Sequence, residues 1–333
     1  LMAMGGLSEF FAKVRELPPE ALSVPGPSGV WSPWKLLTIC IFASLASMIQ
    51  PGQWMRYYAA KSSQTLKRSA LIFSLVLPGC FLFGVMLVGL GARALYPPAM
   101  VDGVLMPHEM IGATAGEFDQ VVVAMLHEHV PLLLGTGFGA VAVSVILVSV
   151  MAASMSTADS NLHALSAVLT RDVYDRFVRP KASESERAWF GRGVIVVATL
   201  LSLWLVGLSS APGGFNPLAL IASLMFVAIA FSCQLLPLAI DCLFVRKGTQ
   251  PGAIFGMLSG ISVVFLFTPL PTLFFGEGFG TSVGGVTKTL SGLFDTGFCG
   301  LVVNALVFVI VSRFTTPPPA DRVEAFRRDL ETE

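Results

Sequence analysis

Charge is what this sequence has least of. Only 13% of its 333 residues are Asp, Glu, Lys or Arg, about half the share a soluble domain carries. The 21 basic and 21 acidic side chains cancel, so nothing points to a nucleic-acid partner. Cysteine is thin as well. Cys40, Cys80, Cys233, Cys242 and Cys299 are scattered, and with no C-x-x-C pair they read as small buried hydrophobes. No Gly-rich phosphate loop with a following Lys is present, which removes ATP as an expected energy source. No nucleophile–base arrangement stands out, so an enzyme is not expected. No signal peptide is visible and the chain opens on Leu1, so we expect a portion of a longer protein.

Apolar residues fill the space. They make up 54% of the chain, and the mean hydropathy is +0.75. Seven stretches, at about 35–55, 69–92, 133–168, 193–209, 217–244, 251–270 and 294–312, reach the roughly 20 residues that a helix needs to cross a bilayer. The third exceeds one crossing and should tilt or project into the cytosol.

The loops alternate in charge. One set holds Arg56, Lys61, Lys67 and Arg68, then Arg171, Arg176, Arg179, Lys181, Arg187 and Arg192, then Arg246 and Lys247, then Arg313, Arg322, Arg327 and Arg328. The intervening loops hold Arg93, Lys288 and little else. The positive-inside rule puts the first set in the cytosol. Residues 1–34 are then an external segment and residues 313–333 a cytosolic tail, in a multi-pass protein of the cell (inner) membrane. Residues 96–132 are acidic and broken by Pro97, Pro98, Pro107 and Pro131, which predicts a folded external loop with short helices. Residues 271–293 are Gly- and Thr-rich.

Polar residues inside the spans carry the chemistry. Residues 130–169 contain only two ionisable side chains, Asp159 and His163. A carboxyl group in a membrane helix normally faces a cavity or a partner. Hydroxyls surround this one, and hard oxygens suit a hard cation. Ala153, Ser156, Thr157 and Ser160 share one broad helical face. Two hydroxyls and a carbonyl freed near Ala153 can replace several water ligands of Na⁺, the rest coming from another helix. The alternative is that these hydroxyls bond back to the i−4 carbonyl or pack against a neighbour. Asp159 and His163, one turn apart, can form a polar pair, a proton relay or a second ion site.

In the first span, Ser44, Ser47, Gln50, Pro51, Gly52 and Gln53 interrupt the apolar pattern. Pro51 removes a backbone hydrogen bond, and a broken helix at membrane depth is tolerated where it lines a cavity. An ordinary proline kink is the plainer reading. Trp54, Tyr57 and Tyr58 beside Arg56 resemble an interfacial aromatic belt. In the fifth span, Ser232, Gln234 and Pro237 form another polar, kinked patch, with Asp241 near its cytosolic end. His127 and His129 are spaced i, i+2, which suits a strand better than a helix and does not make a metal site.

Four ordered stretches resemble the sodium:solute symporter family. They are Pro51 through Arg56-Tyr57-Tyr58-Ala59-Ala60-Lys61-Ser62; Ala152-Ala153-Ser154-Met155-Ser156-Thr157-Ala158-Asp159-Ser160 running to Thr170-Arg171-Asp172-Val173-Tyr174; Gln234 to Pro237 with Arg246-Lys247 and Gly252-Ala253-Ile254-Phe255-Gly256; and Gly300 to Asn304 with Ser312. The second is the most specific. The resemblance implies an all-α membrane protein with the leucine-transporter-like fold, built from two inverted five-helix repeats. Residues 35–244 would be the second repeat and 245–312 two accessory helices, with the first repeat in a missing N-terminal half of the same polypeptide.

The resemblance also implies a Na⁺ site at Ala153, Ser156 and Thr157. A possible second ion would sit at Asp159 and Ser160, although Asp159 stands where members with that second site have a hydroxyl. Ser44, Ser47, Gln50, Pro51 and Ser232 are the candidate solute contacts. Ala43 and Ser47 replace aromatic residues of some relatives, which favours a small organic acid or similar polar metabolite. The expected activity is sodium-coupled symport of a small organic solute across the lipid bilayer by alternating access. The rivals are a proton-coupled carrier using Asp159 and His163, and the transporter-like module of a membrane sensor.

Overall fold

The computed structural model describes residues 4–17, 19–22, 32–102, 104–106, 108–109, 120–209, 221–268, 270–271, 290, 292–319, 321, 323–325 and 328. Pro107, Arg322, Arg327 and most of residues 271–293, Lys288 among them, lie outside them. In chain order the helices are α1 (Leu7–Glu16), α2 (Pro19–Leu22), α3 (Pro33–Ser47), α4 (Pro51–Tyr58), α5 (Ser63–Cys80), α6 (Leu87–Leu95), α7 (Val121–Leu134), α8 (Thr136–Val168), α9 (Glu184–Ser209), α10 (Ile221–Ser232), α11 (Leu236–Ile240), α12 (Gln250–Phe267) and α13 (Thr296–Phe314). Wider π-type turns at Phe81–Met86 and Leu169–Val178 extend α5 into α6 and prolong α8.

Among the described residues six helices are long and apolar enough to cross a membrane, or seven if the bent pair α3–α4 counts as one. They follow the seven stretches expected from hydropathy. In Ser63–Leu95 none of the most apolar window is buried. A helix apolar all round and uncovered is at home only in lipid. The cysteines follow the same logic, and here the expectation of burial fails for three of them. Cys40, Cys80 and Cys242 are exposed and only Cys233 is buried, because the outer face of a membrane helix is itself a place for small hydrophobes.

The chain divides into two compact units. One contains residues 1–29 and 55–220. Within it, Phe10 and Met4 lie against Gly91 of α6, where a Cβ would stand 3.7 Å and 3.9 Å from them. A hairpin joins α7 to α8 at Gly135, whose φ of 82° is open to glycine and strained for other residues. The two helices then touch backbone to backbone, since a Cβ on Gly139 would overlap Pro131.

The segment 96–132 of this unit holds the start of helix α7, as expected of it, and also a short ribbon that was not expected. Ala99–Val101 (β1) and Val104–Met106 (β2) pair antiparallel, with Ala99 opposite Met106. Asp102 makes the turn with φ 52°, a left-handed conformation that Asp tolerates better than most residues. Among the described residues this six-residue ribbon is the exception to an otherwise helical architecture. His127 and His129 lie on helix α7, against the strand-like reading of their spacing. Glu128 between them accepts a short hydrogen bond from the Tyr96 hydroxyl, and His129 Nε2 stands 3.4 Å from the same oxygen. Burial, then the bond to Glu128 and its charge, hold the Tyr96 phenol well above the usual tyrosine range.

The other unit contains residues 30–54 and 221–333. Its core is Phe42, Ala46, Ala230, Cys233 and Val264. Helices α12 and α13 run antiparallel in close register. A Cβ on Gly252 would overlap Ser312, one on Gly256 would come 2.9 Å from Phe308, one on Gly260 2.8 Å from Asn304, and one on Gly300 2.7 Å from Val264. Apolar burial gives little driving force in lipid, so close approach through small residues is what holds membrane helices together.

Polar groups fasten this seam. Asn304 is 1% exposed. Its Nδ2 donates to the Gln234 carbonyl at 2.7 Å and to Gln234 Oε1 at 3.1 Å. At one end of α13, the Asp295 amide donates to Thr38 Oγ1 at 3.0 Å, and Asp295 Oδ1 caps the helix by accepting from the Gly297 amide at 2.7 Å. At the other end, Asp241 accepts from the Lys247 and Gly248 amides at 3.1 Å and 2.9 Å. That fixes a turn in which Arg246 has φ 58°.

Candidate functional site

Helix α8 is the scaffold of the candidate ion site. Its sequence is long, free of proline and nearly free of charge, so it forms 33 uninterrupted helical residues. Hydroxyls within it must find acceptors, and the nearest are carbonyls one turn back. Ser144, Ser149 and Ser154 each donate to the carbonyl four residues earlier. Back-bonding therefore does not by itself mark residues 153–160.

Convergence does. Ser156 Oγ donates to the Ala153 carbonyl at 2.9 Å, and Thr157 Oγ1 donates to the same carbonyl at 3.3 Å. Three hard oxygens thus lie within one turn, on an exposed stretch of the helix. Ser160 Oγ donates to the Ser156 carbonyl at 2.9 Å, extending the row by a further turn. The helix is unbroken here, so the Ala153 carbonyl is not freed by a break as the sequence suggested. It is instead shared between two hydroxyls. Asp159 Oδ1 lies 3.3 Å from His163 Nε2, with both side chains largely exposed.

The candidate solute residues sit in the other unit. Helix α3 ends at Ser47 and α4 restarts at Pro51, bent by 44° across the gap. Proline supplies no amide to continue the ladder and suits the first turn of the new helix. Trp54 Nε1 donates to the Met48 carbonyl at 3.1 Å, and the Gln50 carbonyl accepts from the Gln53 and Trp54 amides at 2.9 Å and 3.2 Å. The break therefore has its own hydrogen bonds. Ser44 Oγ donates to the Cys40 carbonyl at 2.6 Å and Ser47 Oγ to the Ser44 carbonyl at 3.0 Å. Ser232 Oγ donates to Ala228 at 3.0 Å. It ends α10, where a 3₁₀ turn, Cys233–Leu235, interrupts the α-helix. Each hydroxyl is satisfied within its own helix, and no hydrogen bond joins Ser44 or Ser47 to Ser232 among the described residues.

Sequence reasoning missed the Gln234–Asn304 and Thr38–Asp295 links. A signal for the first was present, because each of two apolar spans carries one carboxamide, and buried amides seek one another. Nothing in the sequence pointed to the second.

The sequence is similar to known proteins over most of its length. The family model for the Sodium:solute symporter family matches residues 1–260. The sodium/proline symporter of Haemophilus influenzae is 31% identical over 121 residues, 36% of this chain and 23% of that protein. The sodium/pantothenate symporter of the same organism is 23% identical over 273 residues, 81% of this chain and 49% of that protein. The human sodium/glucose cotransporter 4 is 29% identical over 287 residues, 80% of this chain and 38% of that protein. The chain spans half or less of the length of these relatives.

Proposed function

The chain belongs to the sodium:solute symporter family, and from that premise we propose that the full-length protein is a sodium-coupled symporter for a small organic solute. The observation that carries the ion site is the convergence of Ser156 Oγ and Thr157 Oγ1 on the Ala153 carbonyl. These oxygens form a partial, acceptor-rich shell. A second element, in the remainder of the polypeptide, completes it. Na⁺ bound there tethers α8 to that element and favours the outward-open state. Coupling follows because Na⁺ binds the two states with different affinity. Asp159 and Ser160 provide the place for a second ion.

The solute faces the bend around Ser44, Ser47, Gln50 and Pro51, with Ser232 contributing from the fifth span. Ala43 and Ser47, standing where some relatives place aromatic residues, favour a monocarboxylate or similar metabolite over a sugar. Residues 35–244 act as one inverted repeat and 245–312 as accessory helices. The tail faces the cytosol, as the basic loops require.

The test is Na⁺-dependent uptake by full-length Thr157→Ala. Losing one hydrogen-bonding group to a charge costs about 1.5–3 kcal/mol, so the Na⁺ half-saturation concentration should rise roughly tenfold or more. An unchanged Na⁺ half-saturation sinks the assignment. The Asp159–His163 pair favours one second reading, proton coupling. Uptake that persists without Na⁺ and collapses with the pH gradient would establish it in place of the first.

A further inference from the structure

A cleft between the end of α8 and the start of α9 has no role in this transport scheme. It has a volume of 620 Å³, and its walls include His163, Arg171, Arg187 and Arg192. Its floor is built by close packing. Ser166 Oγ donates to the Gly191 carbonyl at 3.0 Å, and a Cβ at position 191 would come 2.7 Å from that hydroxyl. Thr170 is buried beside it.

The charges in the walls are unequally matched. Both lining carboxylates belong to one arginine: Arg187 holds Asp175 at 3.0 Å and Glu184 at 2.9 Å. Glu186, also on α9, is held by Arg179 at 2.8 Å, and Asp159 by His163. Arg171 and Arg192 form no ion pair among the described residues. Arg192 instead lies over the Trp189 ring at 5.1 Å. Three arginines face two carboxylates, which leaves one net positive charge with both uncompensated guanidiniums on the cleft.

Depth in the membrane adds to this. The 33 helical residues of α8 extend ~50 Å, more than the ~40–45 Å of a bilayer with its headgroups. Its charged residues cluster at the C-terminal end, so that end stands at and beyond the headgroups. Arg192 lies ~7.5 Å further along α9 than the ion-paired Arg187, on the apolar side of it. Guanidinium forks match phosphate oxygens, and basic pockets between membrane helices on the cytosolic side suit phosphate-bearing headgroups.

We infer that this cleft binds a phosphate-bearing anion through Arg171 and Arg192, taken either from an inner-leaflet phospholipid headgroup or from free phosphate. Occupancy pins the cytosolic end of α8, the helix that carries Ala153, Ser156 and Thr157, to α9.

The experiment uses the purified full-length protein. Bound phosphatidylglycerol is counted by native mass spectrometry after exposure to mixed phosphatidylglycerol–phosphatidylcholine micelles, with and without excess inorganic phosphate. The double variant Arg171→Gln/Arg192→Gln should lose about 30-fold in phosphatidylglycerol affinity, and Lys67→Gln/Arg68→Gln should lose little. Retention against excess phosphate identifies the lipid as the source, whereas displacement identifies free phosphate, and either supports the site. Equal loss in both double variants, or no loss in the first, overturns it. Wild-type protein gives an independent reading if the variant misfolds. A photoreactive phosphatidic acid should crosslink within residues 163–195, and labelling confined to other segments overturns the proposal.

Discussion

Gly260→Ala tests the seam between α12 and α13. The added methyl would overlap Gln234 Oε1 and stand 2.8 Å from Asn304 Cβ. Neither neighbour can give way freely. Gln234 and Asn304 are each 1% exposed, and Gln234 Nε2 is held by the Ala230 carbonyl at 3.0 Å. Displacing the carboxamide breaks its 3.1 Å bond from Asn304, leaving a buried acceptor bare. Overpacking costs about 1–3 kcal/mol and an unsatisfied buried group about 1–3 kcal/mol. Better helix propensity returns about 1 kcal/mol. The net loss is centred near ~3 kcal/mol, which lowers the melting temperature by roughly 5–10 °C.

The assay is thermal unfolding of the detergent-solubilised protein, followed by loss of the monodisperse gel-filtration peak. Gly193→Ala on α9, where a Cβ meets nothing within 4 Å, is the control and should melt at or slightly above wild type. Gln234→Ala should rescue part of the Gly260→Ala loss, because it vacates the space the methyl needs. A Gly260→Ala protein as stable as wild type, beside a neutral control, would refute the reasoning.

Other outcomes follow from the same geometry. Tyr96, held protonated by its burial and by Glu128, contributes stability that is complete below the unfolded tyrosine value of about 10 and is lost as pH rises beyond it. Melting temperature should therefore fall more steeply above that pH in wild type than in Tyr96→Phe, and parallel curves would contradict the assignment. Arg246 occupies a left-handed conformation at φ 58° with only a 3.4 Å bond from its guanidinium to the Leu243 carbonyl. Arg246→Gly should stabilise the protein by about 1 kcal/mol, read as a small rise in melting temperature.

Much of the transmembrane architecture was legible because hydropathy over 20 residues is a bulk property. The stretch at 251–270 became Gln250–Phe267, and that at 294–312 became Thr296–Phe314. Pro51 announced the break before α4, because a missing amide acts locally. The turn at Asp102 was not legible. Its ribbon depends on two extended segments finding each other, and nothing in either residue run prefers a strand strongly. The freed carbonyl expected at Ala153 was a misreading of the same kind. Hydroxyl-rich sequence is compatible with an intact helix whenever back-bonding satisfies each group.

By itself the sequence determined that the chain lives in lipid, roughly where its membrane helices lie, which loops carry positive charge, and that hydroxyl and carbonyl oxygens gather on the third span. Those follow from composition and from interactions within a few residues. Tertiary structure alone decided that Gly252, Gly256 and Gly260 face α13, that Gln234 meets Asn304, and that Arg171 and Arg192 open onto one cleft. Helices that are apolar on every side have no stripe to say which face turns inward. That choice is made only when small residues on two helices come into register and buried polar groups find each other across the gap.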